Sequence, residues 1–328
     1  MKHIGASEFR GGAPAEREIA FPARVRAAAA GFWLKTLFFL AQRTPRLARA
    51  ARAPFVRLAI WNSRAIRSAT AANGARVLPA AGRSRRDIRR FTRGVVANFY
   101  DFVCDVGKSL QLTREQLVGR IESIDGHDKY VAARERGKGA ILLTAHMGSF
   151  EVAAAALLRH ESRIHVVFKR DVGRFERIRQ TLRQRLGVIE QAVDDGWSVW
   201  VRLRDALRAN EVVAIQGDRV MPGQKGRRMP FLGGHTLLPT GPAKLAMASG
   251  APIVPVFSVR TPEGRIRLFI EDAIEVGDDL DEAMTRIATI IATYVARYPE
   301  QWLVLHRAFC EDAELSTADV GEKAWHGR

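Results

Sequence analysis

Hydrophobic positions from residue 139 onward form short uninterrupted runs, and these runs alternate with longer stretches of helical periodicity. An apolar run without alternation is typical of a strand that is buried on both faces. The runs predict strands at 139–145, 164–168, 211–216, 252–259 and 265–271, and the stretches between them predict helices at 149–160, 174–186, 197–209, 241–249 and 280–297. This alternation predicts an α/β fold with a mostly parallel or mixed sheet flanked by helices, followed by a final strand or ordered tail at 301–309.

The pattern before residue 139 is largely helical. Residues 23–68 predict one or two amphipathic helices broken near Pro45 and Pro54, and residues 74–82 predict a linker. A long helix from residue 84 to about residue 106 and a short helix near residue 113 would follow. The chain therefore divides into a disordered tail (1–20), a helical arm (21–82), a main domain (83–312) and a second disordered tail (313–328).

The excess positive charge lies at the N-terminal end. Of the formal net charge of +17, residues 1–100 contribute +16. A basic arm suits either nucleic acid or an anionic membrane. Between its charges, however, lie apolar clusters that nucleic-acid-binding arms usually lack, with Phe32, Trp33, Leu34, Leu37, Phe38 and Phe39 as the main apolar residues. The pattern favours an amphipathic arm that lies on an anionic membrane surface, and nucleic-acid binding is the alternative.

A membrane-spanning helix and secretion are both disfavoured by the sequence. No segment has the roughly 20 consecutive apolar residues that span a bilayer, and the best candidate, 27–41, contains Lys35. The first 20 residues contain three glutamates and no apolar stretch, so a signal peptide is not expected. The two cysteines, Cys104 and Cys310, form no motif, and free thiols are consistent with a reducing compartment.

Residues 139–151, GAILLTAHMGSFE, carry the first candidate chemistry. His146 would lie at the carboxyl end of a buried strand, and Glu151 would lie in the first turn of the next helix. Ligands bind at that edge of an open α/β sheet, and a histidine oriented by a carboxylate is the minimum of a general base. The alternative is a polar loop residue followed by a glutamate that complements the helix dipole.

Three further stretches fall at predicted strand ends. Lys169-Arg170 ends a strand that we expect beside that of His146, and Asp218-Arg219 ends another. A Gly- and Arg-rich loop then follows, and long loops in compact domains are often functional. Their shared location at strand carboxyl ends favours a functional role for the four strand-end residues, and the cations Lys225, Arg227 and Arg228 favour binding of phosphate or another anion by the loop. Taken singly, each stretch also fits an exposed basic surface.

Together these motifs resemble a known superfamily. H-M-G-S-F-E matches the H-x-x-x-x-D/E motif of the glycerolipid and lysophospholipid acyltransferases. The ordered series V-V-F-K-R, Q-G-D-R, P-F-L-G-G, G-A-P-I-V-P-V and P-E-Q-W-L-V-L-H-R-A-F resembles its branch of lipid A late (lauroyl/myristoyl-type) acyltransferases, over roughly residues 85–310. The chain departs from that branch in a weak N-terminal anchor and in Phe-Lys where many members have Tyr-Arg.

The resemblance implies a glycerolipid acyltransferase-like domain at 83–312 that moves a fatty acyl chain to a lipid hydroxyl. His146 would be the general base and Glu151 would orient it, whereas Ser149 and Cys104 would be bystanders. Lys169 and Arg170, or backbone N–H groups after His146, would bind the oxyanion, and Asp218 and Arg219 would complete the wall of the site or hold acceptor phosphates. The donor would be a thioester of acyl carrier protein or CoA, and neither a cofactor nor a metal is implied. The acceptor would be a lipid A precursor or related glycolipid, or alternatively a lysophospholipid or another glycerolipid or aminolipid. The protein would act at the cytoplasmic face of a bacterial inner membrane.

Two other classes of function remain as alternatives. A metal-assisted hydrolase would use His146, Glu151 and Asp218, but a second histidine at ligand spacing is missing, since His160 and His165 lie too far along the chain. A basic nucleic-acid-binding protein would explain the charge, but the chain has no nucleic-acid motif and its second half is nearly neutral. The sequence leaves oligomeric state and acyl chain length open.

Overall fold

The computed structural model describes residues 36–170, 174–221, 224 and 226–310. The helices are α1 (Pro45–Asn62), α2 (Arg64–Val77), α3 (Arg85–Ser109), α4 (Arg114–Val118), α5 (His127–Glu135), α6 (Phe150–Leu157), α7 (Arg174–Leu186), α8 (Trp197–Arg208), α9 (Gly241–Ser249) and α10 (Leu280–Arg297). The strands are β1 (Ile121–Asp125), β2 (Ala140–Thr144), β3 (Ile164–Phe168), β4 (Ile189–Ala192), β5 (Val212–Gln216), β6 (Gly226–Phe231), β7 (Gly234–Pro239), β8 (Ile253–Arg260) and β9 (Ile266–Ile270). Residues 36–43 are also helical.

Seven strands form one sheet in the order β1-β9-β8-β2-β5-β3-β4. Neighbouring strands run parallel except for β8 and β9, which are antiparallel. The central strand β2 is apolar throughout because helices cover both of its faces: Ile141 and Leu143 pack with α8, α9 and α10, and Leu142 packs with Tyr130 of α5. The predicted α/β fold with a mostly parallel sheet between helices is confirmed.

The strands and helices predicted beyond residue 139 are found, and α10 matches its prediction at both ends. Helix α6 ends at Leu157, three residues before the predicted end. The sequence patterns missed β1 and β4, which lie at the two edges of the sheet. Edge strands are only partly buried, and the segments IESID and IEQA accordingly contain polar residues that hide their strand character.

Two predicted placements are wrong. Strand β3 does not lie beside β2, because β5 is inserted between them and pairs with both. The expected long loop after Asp218 contains an antiparallel hairpin instead, in which β6 pairs with β7 from Gly226 to Pro239. The hairpin gives the backbone of this segment hydrogen-bonding partners that a surface loop would lack.

The described part of the arm packs against the main domain. Leu37 and Phe38, which we expected to supply lipid-facing area, are buried at 4% exposure in one cluster with residues of α3. Pro54 lies inside α1 rather than at a break, and α2 continues through Val77 into the predicted linker. Residues Phe32, Trp33 and Leu34 and the two predicted disordered tails lie outside the described residues.

Candidate active site

His146 and Asp218 come together because their strands are adjacent and in register. Thr144 of β2 pairs with Gln216 of β5, and each of the two functional residues lies two positions further along its chain segment. His146 Nδ1 is 2.7 Å from Asp218 Oδ1, and the His146 backbone N–H donates to Oδ2 at 3.1 Å. Gly217 permits this approach, since a Cβ there would lie 2.5 Å from the Leu143 side chain.

Asp218 is a buried carboxylate with three N–H donors. Its third donor is the indole N–H of Trp302, 2.9 Å from Oδ2. Burial by itself raises the pKa of Asp218, but His146 and Trp302 outweigh that effect and lower the pKa to about 2. An ionised carboxylate only accepts hydrogen bonds, so His146 Nδ1 carries the proton and Nε2 carries the lone pair. His146 is thus oriented to take up a proton at Nε2.

Residues 301–303 and β8 fix the backbone of the loop that carries His146. Leu303 N–H donates to the His146 carbonyl at 2.7 Å, and Gly148 N–H donates to the Gln301 carbonyl at 3.1 Å. On the other side, the Ser258 hydroxyl donates to the Met147 carbonyl at 2.9 Å. Gly148 has φ +53° and lies so close to the Ser258 carbonyl that a Cβ would approach it to 2.5 Å, so this loop requires glycine at that position.

Ser149 is buried and hydrogen-bonds to Asp105 of α3. The Asp105 carboxylate also binds Arg120 at 2.5 Å and Arg260 at 3.1 Å. The serine hydroxyl therefore has a structural partner rather than a position facing substrate. Cys104 is no better placed as a nucleophile, because burial and the neighbouring Asp101 raise the pKa of its thiol to about 12.

From its spacing we expected Glu151 to orient the imidazole. It does not, because Asp218 occupies the Nδ1 side of the ring. The Glu151 carboxylate instead accepts from Arg179 Nε at 2.6 Å and lies 3.5 Å from Arg183 Nη1. The first turn of α6 directs this side chain toward α7, where Arg183 also binds Glu176 and Glu190 at 2.5 and 2.6 Å. Glu151 thus joins α6 to α7, and a catalytic role for it stays a prediction.

A cavity of about 680 Å³ opens beside His146. One part of it lies between α6 and the sheet and is lined by small and apolar side chains: Ala153, Ala154 and Leu157 from α6, and Leu142, Ala214 and Val256 from the sheet. Another part extends along α8 and the start of α9, beside Trp197, Trp200 and Lys244. Volumes of this size are typical of sites that enclose small molecules or the chain of a lipid.

The predicted cations are distributed differently from our expectation. Lys169 lines the cavity, but Arg170 is exposed and pairs with Asp195 at 2.5 Å. Among the loop residues, Arg227 pairs with Asp281 of α10, and Arg228 lies 3.1 Å from the His235 ring on the hairpin. The expected convergence of these arginines on the rim of the site is therefore wrong. Lys225 lies outside the described residues.

Arg219 is the predicted cation that the structure places best. It lines the cavity directly after Asp218, and its Nε is buried without a hydrogen-bond partner in the described structure. Burial lowers the pKa of its guanidinium, Asp218 opposes that shift, and Arg179 adds to it. The other arginines that line the cavity are bound to carboxylates, Arg179 and Arg183 to glutamates and Arg204 to Asp205. Arg219 therefore retains hydrogen-bonding capacity for an anionic group beside His146.

Sequence reasoning missed the roles of Trp302 and Asp105. Trp302 belongs to the motif P-E-Q-W-L-V-L-H-R-A-F, but nothing in the sequence indicated that its indole reaches Asp218. For Asp105 a signal existed, since an acidic residue in the middle of an apolar helical stripe requires a buried partner. Within the described ranges, no group of three or more His, Cys, Asp or Glu has the arrangement of a metal site.

Comparison with known proteins finds sequence similarity to two acyltransferases. The chain is 26% identical over 191 residues to the phosphatidylinositol mannoside acyltransferase of Mycolicibacterium smegmatis, covering 56% of this chain and 61% of that protein. It is 28% identical over 200 residues to the phosphatidylinositol mannoside acyltransferase of Mycobacterium tuberculosis H37Rv, covering 59% of this chain and 61% of that protein. The match thus spans about three fifths of the length of these relatives.

A sequence model of the bacterial lipid A biosynthesis acyltransferases matches residues 23–311. This range covers the helical arm, the seven-stranded sheet and the loop of His146. The chain therefore belongs to the bacterial lipid A biosynthesis acyltransferase family.

Proposed function

We propose that this protein is an acyltransferase that moves a fatty acyl chain from a thioester of acyl carrier protein or CoA to a hydroxyl of a lipid A precursor or related glycolipid. The observation that carries the proposal is the pairing of His146 with Asp218 where His146 lines a largely apolar cavity. Base, orienting carboxylate and chain-binding space are the parts that acyl transfer to an alcohol requires. The proposed reaction uses the thioester as a co-substrate and no cofactor.

In the proposed reaction, His146 Nε2 accepts the proton of the acceptor hydroxyl while the hydroxyl oxygen attacks the carbonyl carbon of the thioester. The new C–O bond forms a tetrahedral intermediate, which collapses with cleavage of the C–S bond. The imidazolium then returns the proton to the departing thiolate, so that His146 ends neutral. Asp218 stabilises the imidazolium between these steps, and base catalysis of this kind contributes about 10² to 10⁴ in rate.

The negative oxygen of the intermediate needs a hydrogen-bond donor, and we assign that role to Arg219. Its Nε lacks a partner in the described structure and lies in the cavity wall. Losing one such donor typically costs about 10² to 10³ in turnover. Lys169, which also lines the cavity, is the second candidate for contact with the substrates.

The fatty acyl chain would occupy the cavity between α6 and the sheet. Alanines at 153, 154 and 214 leave space there that larger side chains would fill, and Leu142 and Val256 supply apolar walls. Burying each methylene of the chain contributes about 0.8 kcal/mol, so this part of the cavity favours long acyl chains. The alkyl contacts also hold the thioester carbon near His146.

We further propose that the outer face of α1 lies on an anionic membrane. The inner face of α1 packs on α3 through Ala48 and Val56, whereas Leu47, Leu58 and Trp61 on the outer face are 53%, 43% and 78% exposed. Exposed arginines flank this stripe, and the sequence has no acidic residue between Glu18 and Asp87. No described helix is both long enough and apolar enough to cross a bilayer. The combination fits a helix that lies in the plane of the interface.

The test is acyl transfer by the purified full-length protein with acyl carrier protein or CoA thioesters. The acceptors should include a lipid A precursor, a phosphatidylinositol mannoside and a lysophospholipid, so that the acceptor class is decided directly. We expect transfer that persists with a chelator and is lost in His146→Ala. Ester hydrolysis that requires a metal, or the absence of transfer to every acceptor, would contradict the proposal.

A further inference from the structure

The start of α3 carries an exposed ridge of six arginines, here called the arginine ridge: Arg83, Arg85, Arg86, Arg89, Arg90 and Arg93. The one acidic residue within this stretch, Asp87, hydrogen-bonds to the Ser84 hydroxyl that caps the helix. In the described structure, Arg85, Arg86, Arg89 and Arg93 have no acidic partner, and Arg90 has only an electrostatic interaction with Glu300. The ridge is therefore a concentrated and largely unneutralised positive surface.

This arrangement reduces the stability of α3. The N-terminal end of a helix carries partial positive charge, so arginines in the first turn are unfavourable there. Like charges four residues apart, as in Arg85 and Arg89 or Arg89 and Arg93, repel each other as well. Local helix chemistry would favour acidic residues at these positions, so the arginines require another explanation. An anionic partner that binds the ridge would offset both effects.

Several surface arginines elsewhere in the main domain have acidic partners. Arg136 pairs with Glu275, Arg163 with Glu211, and Arg267 with Glu122. These pairs bring acidic and basic side chains of different elements together, which is the ordinary arrangement of a protein surface. The ridge departs from that arrangement because none of its arginines forms an ion pair with a residue of the described structure.

The ridge also differs from the outer face of α1. The exposed large hydrophobic residues of α1 have no counterpart among the described residues 83–93, where Phe91 is buried at 3% exposure. Binding to a bilayer interface gains from apolar side chains that enter it. A surface of charge alone suits an acidic protein surface, where long-range attraction steers association.

The ridge lies beside the loop of the catalytic histidine. Gly94, next to Arg93, is in close contact with the Glu300 side chain, and Asn98 one turn later donates to the Glu300 carbonyl at 3.0 Å. The next residue, Gln301, binds Gly148 in the catalytic loop. A protein bound at the Arg93 end of the ridge would therefore lie close to the segment that holds the loop of His146.

From these features we propose that the arginine ridge docks the small acidic protein that carries the acyl thioester. The inference rests on the proposed function, because it assumes that a protein-bound thioester is the donor. Docking at the ridge would raise the local concentration of the donor without taking part in bond making or breaking. It should therefore affect the KM for the carrier-bound donor far more than the turnover number.

The test uses the full-length protein in which three arginines of the ridge are replaced by glutamate, Arg85→Glu, Arg89→Glu and Arg93→Glu. Glutamate suits the N-terminal turns of a helix, so this variant should fold with an unchanged or higher Tm. The matched control is Lys138→Glu, Arg159→Glu and Arg185→Glu, which changes the net charge by the same amount at exposed positions elsewhere. Binding of fatty-acyl-loaded acyl carrier protein is measured directly, and KM is measured with that donor and with the corresponding pantetheine thioester.

We expect the ridge variant to bind the carrier protein more weakly. Its KM for the carrier-bound donor should rise by roughly tenfold or more at low salt, whereas its KM for the pantetheine thioester should stay unchanged. The control should retain wild-type binding. Equal carrier-protein binding by the ridge variant and the wild type would overturn the proposal. A ridge variant that loses binding only to anionic phosphatidylglycerol vesicles, or only to RNA, would overturn it as well. If no thioester supports transfer, the proposed function fails, but the direct binding measurement still decides the docking question.

Discussion

Trp302 donates its indole N–H to Asp218 Oδ2 across 2.9 Å, and both side chains are buried. Asp218 in turn holds the Nδ1–H of His146. Trp302 is therefore a positioning residue in the proposed mechanism: it does not contact the reacting atoms, but it fixes the carboxylate that orients the base. Phe231 and Phe309 surround it, with ring centroids 5.7 and 6.5 Å away.

Trp302→Phe keeps an aromatic ring and removes this donor. A hydrogen bond to a charged group contributes about 1.5–3 kcal/mol, so we expect kcat to fall roughly tenfold or more with little change in KM. The downfield NMR signal of the His146 Nδ1 proton should shift as well. Phe309→Leu, which alters the same aromatic cluster without touching Asp218, should leave that signal in place. An unchanged signal in Trp302→Phe would refute the positioning role.

The same substitution predicts a change in acid stability. The pKa of Asp218 is about 2, below its ordinary value of 3.8, so its stabilising contribution is present above about pH 4 and is lost as pH falls toward 2. Without the indole donor the folded-state pKa rises, and the acid-unfolding midpoint should move to higher pH. Arg219 and His306 also interact with this carboxylate and are the same in both proteins. Circular dichroism across an acid titration measures the shift.

Comparing Asp218→Asn with Glu151→Gln distinguishes the roles of the two acidic residues near the site. An asparagine side chain has no negative charge to stabilise the imidazolium, so turnover should fall by about 10³ or more while the fold is kept. Glu151→Gln should act differently, because it weakens the contacts with Arg179 and Arg183 between α6 and α7. Its Tm should drop, whereas Asp218→Asn should have the larger effect on kcat. A larger loss of kcat in folded Glu151→Gln than in Asp218→Asn would contradict this assignment.

The sequence predicted the position of the site but not the partner of its base. Apolar runs identified β2 and β5, and the residues after them identified His146 and Asp218 as candidates. What sequence patterns do not contain is strand order, and β5, not β3, is the neighbour of β2 on that side. The pairing of Thr144 with Gln216 then decides that Asp218 reaches the imidazole. Glu151, five residues from His146 in sequence, faces another helix.

The cations of the hairpin illustrate a second limit. Arg227 and Arg228 belong to a basic stretch, and sequence alone favours an anion-binding role for it. In the structure, Arg227 pairs with Asp281 on α10, and Arg228 lies beside His235 on the paired strand β7. Long-range pairing of this kind decides whether a basic residue is available to a ligand.

The cavity between α6 and the sheet makes a prediction about donor chain length. Ala154→Phe should fill part of the space that we assign to the acyl chain. Each methylene that no longer fits forfeits about 0.8 kcal/mol, so kcat/KM should fall steeply for long-chain thioesters and little for short-chain ones. A series of donors of increasing length, assayed with wild type and variant, measures this difference. An equal loss for all chain lengths would indicate general damage to α6 instead.

The last prediction concerns the arm. From its sequence, a truncation that begins at Ser84 would be expected to be more soluble. The structure predicts the opposite, because α1 and α2 cover part of α3. Tyr100 donates to the Ala48 carbonyl at 2.5 Å, and Arg52 donates three hydrogen bonds of 2.8, 2.9 and 3.1 Å to Asp101. Removing the arm would also uncover Val96 and Phe91, and each large apolar side chain that loses burial costs about 1.5–3 kcal/mol.

We therefore expect the truncated protein to unfold at a lower temperature and to aggregate, so its failure to bind vesicles would say little about the membrane. Leu58→Ser with Trp61→Ser is the sharper experiment, because both side chains are largely exposed and their loss leaves the contacts of Ala48 and Val56 intact. That variant should keep the wild-type Tm and bind phosphatidylglycerol vesicles more weakly in flotation assays. Undiminished flotation with an unchanged Tm would show that the outer face of α1 is not the membrane contact, and that its exposed tryptophan has another partner.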